Sequence, residues 1–388
     1  MRAPGETRRS VSTPDSISPE SPWIARAAWA AIALFTGVLL WLALAVHVVG
    51  DHAAESDFYG GYAQGAALIQ RGQLDYSRYI VVGPGYEVAL AVASALIPDR
   101  FLAAKLLSVA SAVAAVSLWF LLVRQRMGAL SALWVLGFLV TNPTFVRYGY
   151  SATTDMLGTF LLVACVAATI AARGAIGAFL AGLLAGVATL TRYSAISLLA
   201  GAWLVRGNPA PSTRPLHSTA AFAIGFLVLI APWAALSISA GSVPGEMLVK
   251  GYGFYANSNG SRNTQDALRA PGEVPARHLT LLEVVRRDPV RFVWDRLVAI
   301  PRRLLLHAGE LIGWPATVAL LFGAARLVWF RRAAPLRPVW VLGALSFVAL
   351  LAAFHSARYA LPLVPFYVTA AAGLASRGDP DMLGGTRG

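Results

Sequence analysis

Residues 27–49 are the first in a series of apolar runs that a water-soluble domain could not accommodate. Roughly 20 predominantly apolar residues carry an α-helix across the hydrocarbon of a bilayer. A helix is also one of only two structures that satisfy every backbone polar group there. Such runs recur at 24–49, 102–123, 128–145, 155–172, 175–191, 194–205, 220–239, 311–330, 339–354 and 359–375, the sixth being short. Hydrophobic residues make up 57% and charged residues 13% of the 388 residues, against about 25% charged in soluble domains. The predicted fold class is therefore all-α: a polytopic integral membrane protein of about ten transmembrane helices. The first run exceeds the apolar region of a signal peptide, about 7–15 residues, and reads as an uncleaved span.

The formal net charge of +13 comes almost wholly from arginine, since Lys105 and Lys250 are the only lysines. These arginines sit at the ends of apolar runs rather than on one soluble face, which excludes a nucleic-acid partner and points instead to membrane lipids. Basic residues in short loops mark the cytoplasmic side. Arg124 and Arg126, Arg173, Arg206 and Arg214, then Arg331, Arg332 and Arg337 all fall there if both termini are inside. With an arginine-, alanine- and glycine-rich composition typical of bacteria, the expected location is a bacterial cytoplasmic membrane. Cys165 is the only cysteine, so neither an internal disulfide nor a thiolate metal site is expected.

This topology divides the chain into a disordered cytoplasmic tail at 1–22, a transmembrane domain at 23–376 and a cytoplasmic tail at 377–388. Two long loops, 50–101 and 240–309, lie outside. In the first, 86–97 is apolar for only a dozen residues and reads as interfacial or re-entrant. In the second, 281–306 mixes apolar residues with Arg286, Arg287, Arg291, Arg296, Arg302 and Arg303. That pattern predicts a basic amphipathic helix on the outer leaflet, interrupted at Pro289 and Pro301.

Three outer segments carry candidate chemistry. Glu55-Ser56-Asp57-Phe58-Tyr59-Gly60-Gly61-Tyr62 follows the first span and offers carboxylates suited to a general base or a metal ligand. Asp155 opens an apolar helix, where it favours the helix N-terminus and, as an ionisable group at membrane depth, is a functional candidate. His355 and Arg358 precede the last run, and Lys105 lies near the outer start of the second; each cation could hold a phosphate or simply anchor its helix.

In order along the chain, these motifs resemble the GT-C superfamily of membrane glycosyltransferases. That superfamily includes protein O-mannosyltransferases, lipid A aminoarabinose transferases and polyprenol-phosphate-dependent mannosyl- and arabinosyltransferases. The acidic motif around Asp57 stands where the family places one, and Gly83-Pro84-Gly85-Tyr86 follows as its short proline-containing segment. Lys105 comes next. The segments from Asn142 to Leu157 and from Ala181 to Tyr193 are similar to the family's middle section, and Arg358-Tyr359-Ala360-Leu361-Pro362 to its last span. The family's frequent Asp-Glu pair is absent, because Phe58 follows Asp57, and its Pro-Pro is reduced to Gly83-Pro84-Gly85.

The resemblance implies inverting transfer of a sugar from a polyprenyl-phosphate donor to a lipid, glycan or protein acceptor at the outer face. Asp57 would be the catalytic base, with Lys105 and Arg358 binding the donor phosphate. Asp155, Glu55 and His355 would orient the acceptor or hold a divalent cation, and Tyr59 and Tyr62 would stack on the sugar. Two other readings stay open: a transporter or flippase of a lipid-linked envelope precursor, and a non-catalytic scaffold for envelope assembly. A broken-helix site at mid-membrane and a repeat between halves would favour the transporter; neither is visible in the sequence.

Overall fold

The computed structural model describes residues 22–48, 52–205, 215–245, 285–286, 288–352 and 356–375. Of the tail expected at 1–22 all but Pro22, together with the tail expected at 377–388, most of the second outer loop (246–284) and His355, lies outside the described residues. The described residues form helices and turns with no strand.

Six helices are long and apolar enough to cross a membrane, or up to eight if each of two bent pairs counts as one span, against the ten expected. The six are α1 (Pro22–Trp41, extended by a π-helical turn, Leu42–Val46), α5 (Arg100–Met127), α8 (Thr154–Ala171), α9 (Gly174–Thr191), α11 (Pro215–Ser239) and α14 (Arg337–Ala352). One bent pair is α6 (Ala129–Val140) with α7 (Pro143–Gly149), at 68°. The other is α12 (Pro289–Leu306, prolonged by the π-helical His307–Ile312) with α13 (Trp314–Trp329), at 112°. The expected spans 194–205 and 359–375 are instead chains of short pieces. The first is a 3₁₀ segment, Tyr193–Ala200, leading into α10 (Gly201–Leu204). The second is Leu361–Leu363, α15 (Val364–Val368) and Thr369–Ala375, where Pro362 and Pro365 remove the donors a regular helix needs. Between α1 and α5 the first outer loop folds into α2 (His52–Asp57), the π-helical turn Phe58–Tyr62, α3 (Ala63–Gln70), a 3₁₀ turn Tyr76–Tyr79 and α4 (Gly85–Leu96).

Local sequence accounts for these boundaries. Asp99 caps α5 by accepting from the backbone N–H groups of Phe101 and Leu102 at 2.9 and 3.2 Å. Gly128, with φ +83°, turns the chain straight into α6. Asn142 caps α7, accepting from Phe145 N at 2.8 Å, with Pro143 in the first turn. Gly313, with φ +89°, makes the corner between α12 and α13, so residues 311–312 close the helix before the corner rather than opening the span after it.

Of the two breaks expected in 281–306, the one at Pro289 is present, because the helical residues 285–286 are separated from α12 by the non-helical Asp288, whereas Pro301, contrary to the expectation, does not interrupt α12. Pro289 sits in the first turn behind the Asp288 cap, where a missing N–H costs nothing. Pro301 is carried inside a continuous helix. No residue of α12 is buried: Val290, Val293, Trp294, Leu297 and Val298 stand exposed beside the arginines. Its C-terminal end is pinned to the bundle by Arg303, which donates to the carbonyls of Leu350 and Leu351 at 3.3 and 3.1 Å. His307 lies 2.7 Å from the Tyr367 hydroxyl.

The bundle packs around α8, which lies between α5 and α9, with α11 against the far side of α9. Gly182 and Gly225 bring α9 and α11 together, because a Cβ at either would collide with the carbonyl of Phe222 or Phe179. The outer faces of α1, α11, α13 and α14 expose Leu34, Val38, Ile224, Leu227, Val318 and Val348, a surface suited to lipid rather than water. The chain is a multi-pass membrane protein.

Candidate active site

Four segments far apart in sequence end close together, and each brings one charge. Asp57 is the last residue of α2, and Asp155 lies in the first turn of α8. Arg192 follows α9 directly, and Arg358 sits in the turn before Leu361. Their side chains form one alternating line. Arg358 Nη1 lies 3.2 Å from Asp57 Oδ2, and Arg358 Nε donates to Asp155 Oδ2 at 2.8 Å. Arg192 donates to the other oxygen of Asp155, and to Thr154 Oγ1 at 3.3 Å. Both guanidinium groups also face the ring of Tyr359, at 5.2 Å for Arg192 and 5.9 Å for Arg358.

The two acids differ in setting. Asp155 is fully buried, whereas 43% of the Asp57 side chain is exposed. A carboxylate at the depth of Asp155 is stable as an anion only when paired, because the effective desolvation penalty is several kcal/mol per ion. Two guanidiniums and the α8 N-terminus supply that compensation. Asp155 thus fixes Arg358, and Arg358 holds Asp57 at the open end of the line.

Glycines make the approach possible. A Cβ on Gly158, one turn along α8 from Asp155, would stand 2.6 Å from Arg192 Cδ. The Gly83-Pro84-Gly85 segment presses against the end of α9, where a Cβ on Gly83 would strike the Leu190 carbonyl and one on Gly85 would meet Thr191. Glycine at 83 and 85 therefore permits a backbone-to-backbone contact immediately before Arg192.

Tyr62 is buried beside the acids, and its ring meets the edge of Tyr86 with centroids 5.0 Å apart. Burial pushes the Tyr62 phenol above its ordinary pKa, and the negative charges of Asp57 and Asp155 push it further, so it stays protonated. Tyr59 is 51% exposed and stacks on Phe101 at 5.7 Å. Arg78 donates to the Gly61 carbonyl at 2.7 Å and so holds the turn after Asp57 from behind.

The remaining candidates meet in a second cluster. Lys105 Nζ donates to the carbonyls of Ala43 and His47 at 2.5 and 2.7 Å, which satisfies the C-terminal end of α1. Its ammonium also lies 4.7 Å from the centre of the Phe101 ring. Glu55 is buried, accepts from the Ala152 N–H at 2.7 Å and sits 3.1 Å from His47 Nε2. Asp57, Asp155 and Arg358 come together in the first cluster; Lys105 and Glu55 are engaged in the second.

Among the described residues no three of His, Cys, Asp and Glu converge as metal ligands. The donor chemistry agrees, since each Asp155 oxygen faces a guanidinium and Asp57 faces Arg358. A divalent cation does not fit the described residues of this site.

Arg192, Tyr86 and Arg78 escaped selection from sequence. Arg192 had a usable signal, because an arginine at the outer end of a span runs against the cytoplasmic bias of the others.

No family model and no curated protein matches this chain. Two solved structures do. ArnT from Cupriavidus metallidurans bound to undecaprenyl phosphate has a TM-score of 0.53 at 16% identity, covering 93% of this chain and 61% of that one. The apo state of the same protein has a TM-score of 0.54 at 17% identity, covering 93% and 62%. ArnT is an aminoarabinose transferase, a GT-C glycosyltransferase. This chain spans about three-fifths of the length of ArnT and shares its fold over that part.

Proposed function

We propose that this GT-C-fold chain is a membrane glycosyltransferase. It takes a sugar from a polyprenyl-phosphate carrier and passes it to a lipid, glycan or protein hydroxyl at the outer face of a bacterial cytoplasmic membrane. One observation carries the reading: a half-open carboxylate, Asp57, is held by Arg358 against a fully buried Asp155–Arg192 pair. A line of charge that ends in an exposed acid is costly to build for structure alone and suits a positioned base. Undecaprenyl phosphate bound to the structurally similar ArnT supports a lipid-phosphate carrier here too.

In this reading the acceptor hydroxyl reaches Asp57 from the exposed side. Asp57 takes its proton as the acceptor oxygen bonds to the anomeric carbon, and the bond from that carbon to the phosphate oxygen breaks with inversion. The lipid phosphate leaves as a stable anion, so no general acid is needed. Arg358 has a second task. A guanidinium presents five N–H groups, more than two carboxylates occupy, so it can meet the departing phosphate while still orienting Asp57. Lys105, with two of its three donors on carbonyls, serves chiefly to fasten α1 to α5.

The test uses the full chain in lipid nanodiscs with radiolabelled undecaprenyl-phosphate sugars and cell-envelope lipids. The wild-type protein is expected to label an acceptor, and Asp57→Asn to fold normally and turn over about 10²–10⁴ times more slowly. Efflux or flipping of the lipid-linked sugar without transfer would replace this reading by a transporter.

A further inference from the structure

We infer that Glu87 is a positioning residue for Asp57: its carboxylate holds Arg78, and Arg78 holds the turn that carries Asp57. This role rests on the proposed glycosyltransferase reading and deepens it. Asp57 is followed at once by the π-helical turn Phe58–Tyr62, so the direction of its side chain depends on how that turn is held. Two residues of the turn, Gly60 and Gly61, bring no side chain, and a Cβ on either would stand in open space. At its centre the turn can therefore be gripped only by its backbone. Arg78 does so, donating from Nη2 to the Gly61 carbonyl at 2.7 Å.

Glu87 stands behind Arg78. It is only 4% exposed, its Oε1 lies 3.9 Å from Arg78 Nη2, and its Oε2 accepts from the Tyr79 hydroxyl at 2.6 Å. Gly65 on α3 makes the seat, because a Cβ there would collide with the Glu87 carboxyl group. Burial pushes the Glu87 carboxyl above its ordinary pKa, while the Tyr79 hydroxyl and Arg78 pull it back. A buried carboxylate is a costly way to join two helices, and α3 and α4 already have a neutral joint. Gln70 donates to the Ala91 carbonyl and to Ser94 Oγ, both at 2.9 Å. The charge at position 87 has another destination, the backbone beside Asp57.

The same cluster reaches the far end of the ion-pair line. Tyr193, the residue after Arg192, donates its hydroxyl to the Tyr79 carbonyl at 2.8 Å, and Trp233 donates to the Tyr193 hydroxyl at 3.2 Å. The 3₁₀ turn Tyr76–Tyr79 is thus bonded on one side to the turn after Asp57 and on the other to the neighbour of Arg192. Glu87 faces both Arg78 and Tyr79, so it fixes the piece that spaces the open acid from the buried pair.

The experiment measures kcat, KM and the thermal midpoint in nanodiscs, with the donor that the wild-type protein uses. Glu87→Gln keeps the size of the side chain and removes its charge. Arg78→Met removes the grip on Gly61 from a side chain that is 21% exposed, and carries the same test if Glu87→Gln does not fold. Both are expected to lower kcat about 10–100-fold with KM unchanged, and Arg78→Lys, which keeps a donor for Gly61, to recover part of the loss. In an Asp57→Asn background neither substitution should slow the residual rate further, since residues that act as a unit are not additive. Full kcat per folded molecule in Arg78→Met, whatever its midpoint, overturns the role in favour of a plain fastener. An equal loss with and without the Asp57 carboxylate overturns it too, because the effect would not pass through Asp57. Either result leaves the glycosyltransferase reading standing, whereas a wild-type protein that transfers no sugar from any carrier overturns both.

Discussion

Two polar clusters built from the same kinds of residue lie near each other, and they end differently. In one, Lys105 donates to the carbonyls of Ala43 and His47, and Glu55 accepts from the N–H of Ala152 and lies against His47 Nε2, while His47 Nδ1 has no partner among the described residues. In the other, Asp155, Arg192 and Arg358 spend theirs on one another and on Asp57, whose carboxylate is left partly open. The first ties α1 and α2 to their neighbours and presents nothing outward. The second presents an acid. Residue type does not separate a fastener from a site in this protein; the destination of each hydrogen bond does.

Three substitutions sharpen that contrast, in decreasing size. Asp155→Asn leaves two guanidiniums facing a neutral amide. Breaking a buried ion pair costs about 3–5 kcal/mol, and turnover should fall at least as far as in Asp57→Asn, because Arg358 loses its anchor. Thermal unfolding in detergent with a transfer assay checks both effects. Lys105→Met orphans two carbonyls at the end of α1 and is expected to cost about 1–3 kcal/mol, with transfer per folded molecule unchanged. If this variant keeps its stability and loses donor binding, the two clusters exchange roles. Gly158→Ala pushes on Arg192 Cδ from 2.6 Å. An overpacking cost of about 1–3 kcal/mol is expected at the low end of that range, with a several-fold loss of turnover, since the arginine stem can shift but its head is held by Asp155.

The long spans were legible because an apolar run carries its own signal: α5, α8, α9 and α11 stand close to where hydropathy puts them. Breaks were less so. Pro301 runs inside a helix instead of breaking it, and the 112° corner rests on Gly313, which looks in sequence like any other glycine of an apolar run. Asp57, Asp155 and Arg358 could be chosen one at a time, as charges at span ends. Their mutual pairing could not, since the partners of Asp155 are 37 and 203 residues away along the chain.

Glu55 and Asp57 stand two residues apart in one acidic motif, and their separation in function is the centre of this account. The most direct measurement is the rate of sugar transfer per folded molecule for Asp57→Asn and Glu55→Gln, assayed side by side in nanodiscs with the donor that the wild-type protein uses. The expected result is a loss of about 10²–10⁴ for Asp57→Asn, and a rate within about tenfold of wild type for Glu55→Gln, whose damage appears mainly as a lower unfolding temperature. Near-wild-type transfer by Asp57→Asn, with collapse of transfer in a well-folded Glu55→Gln, would contradict it and move the base into the other cluster.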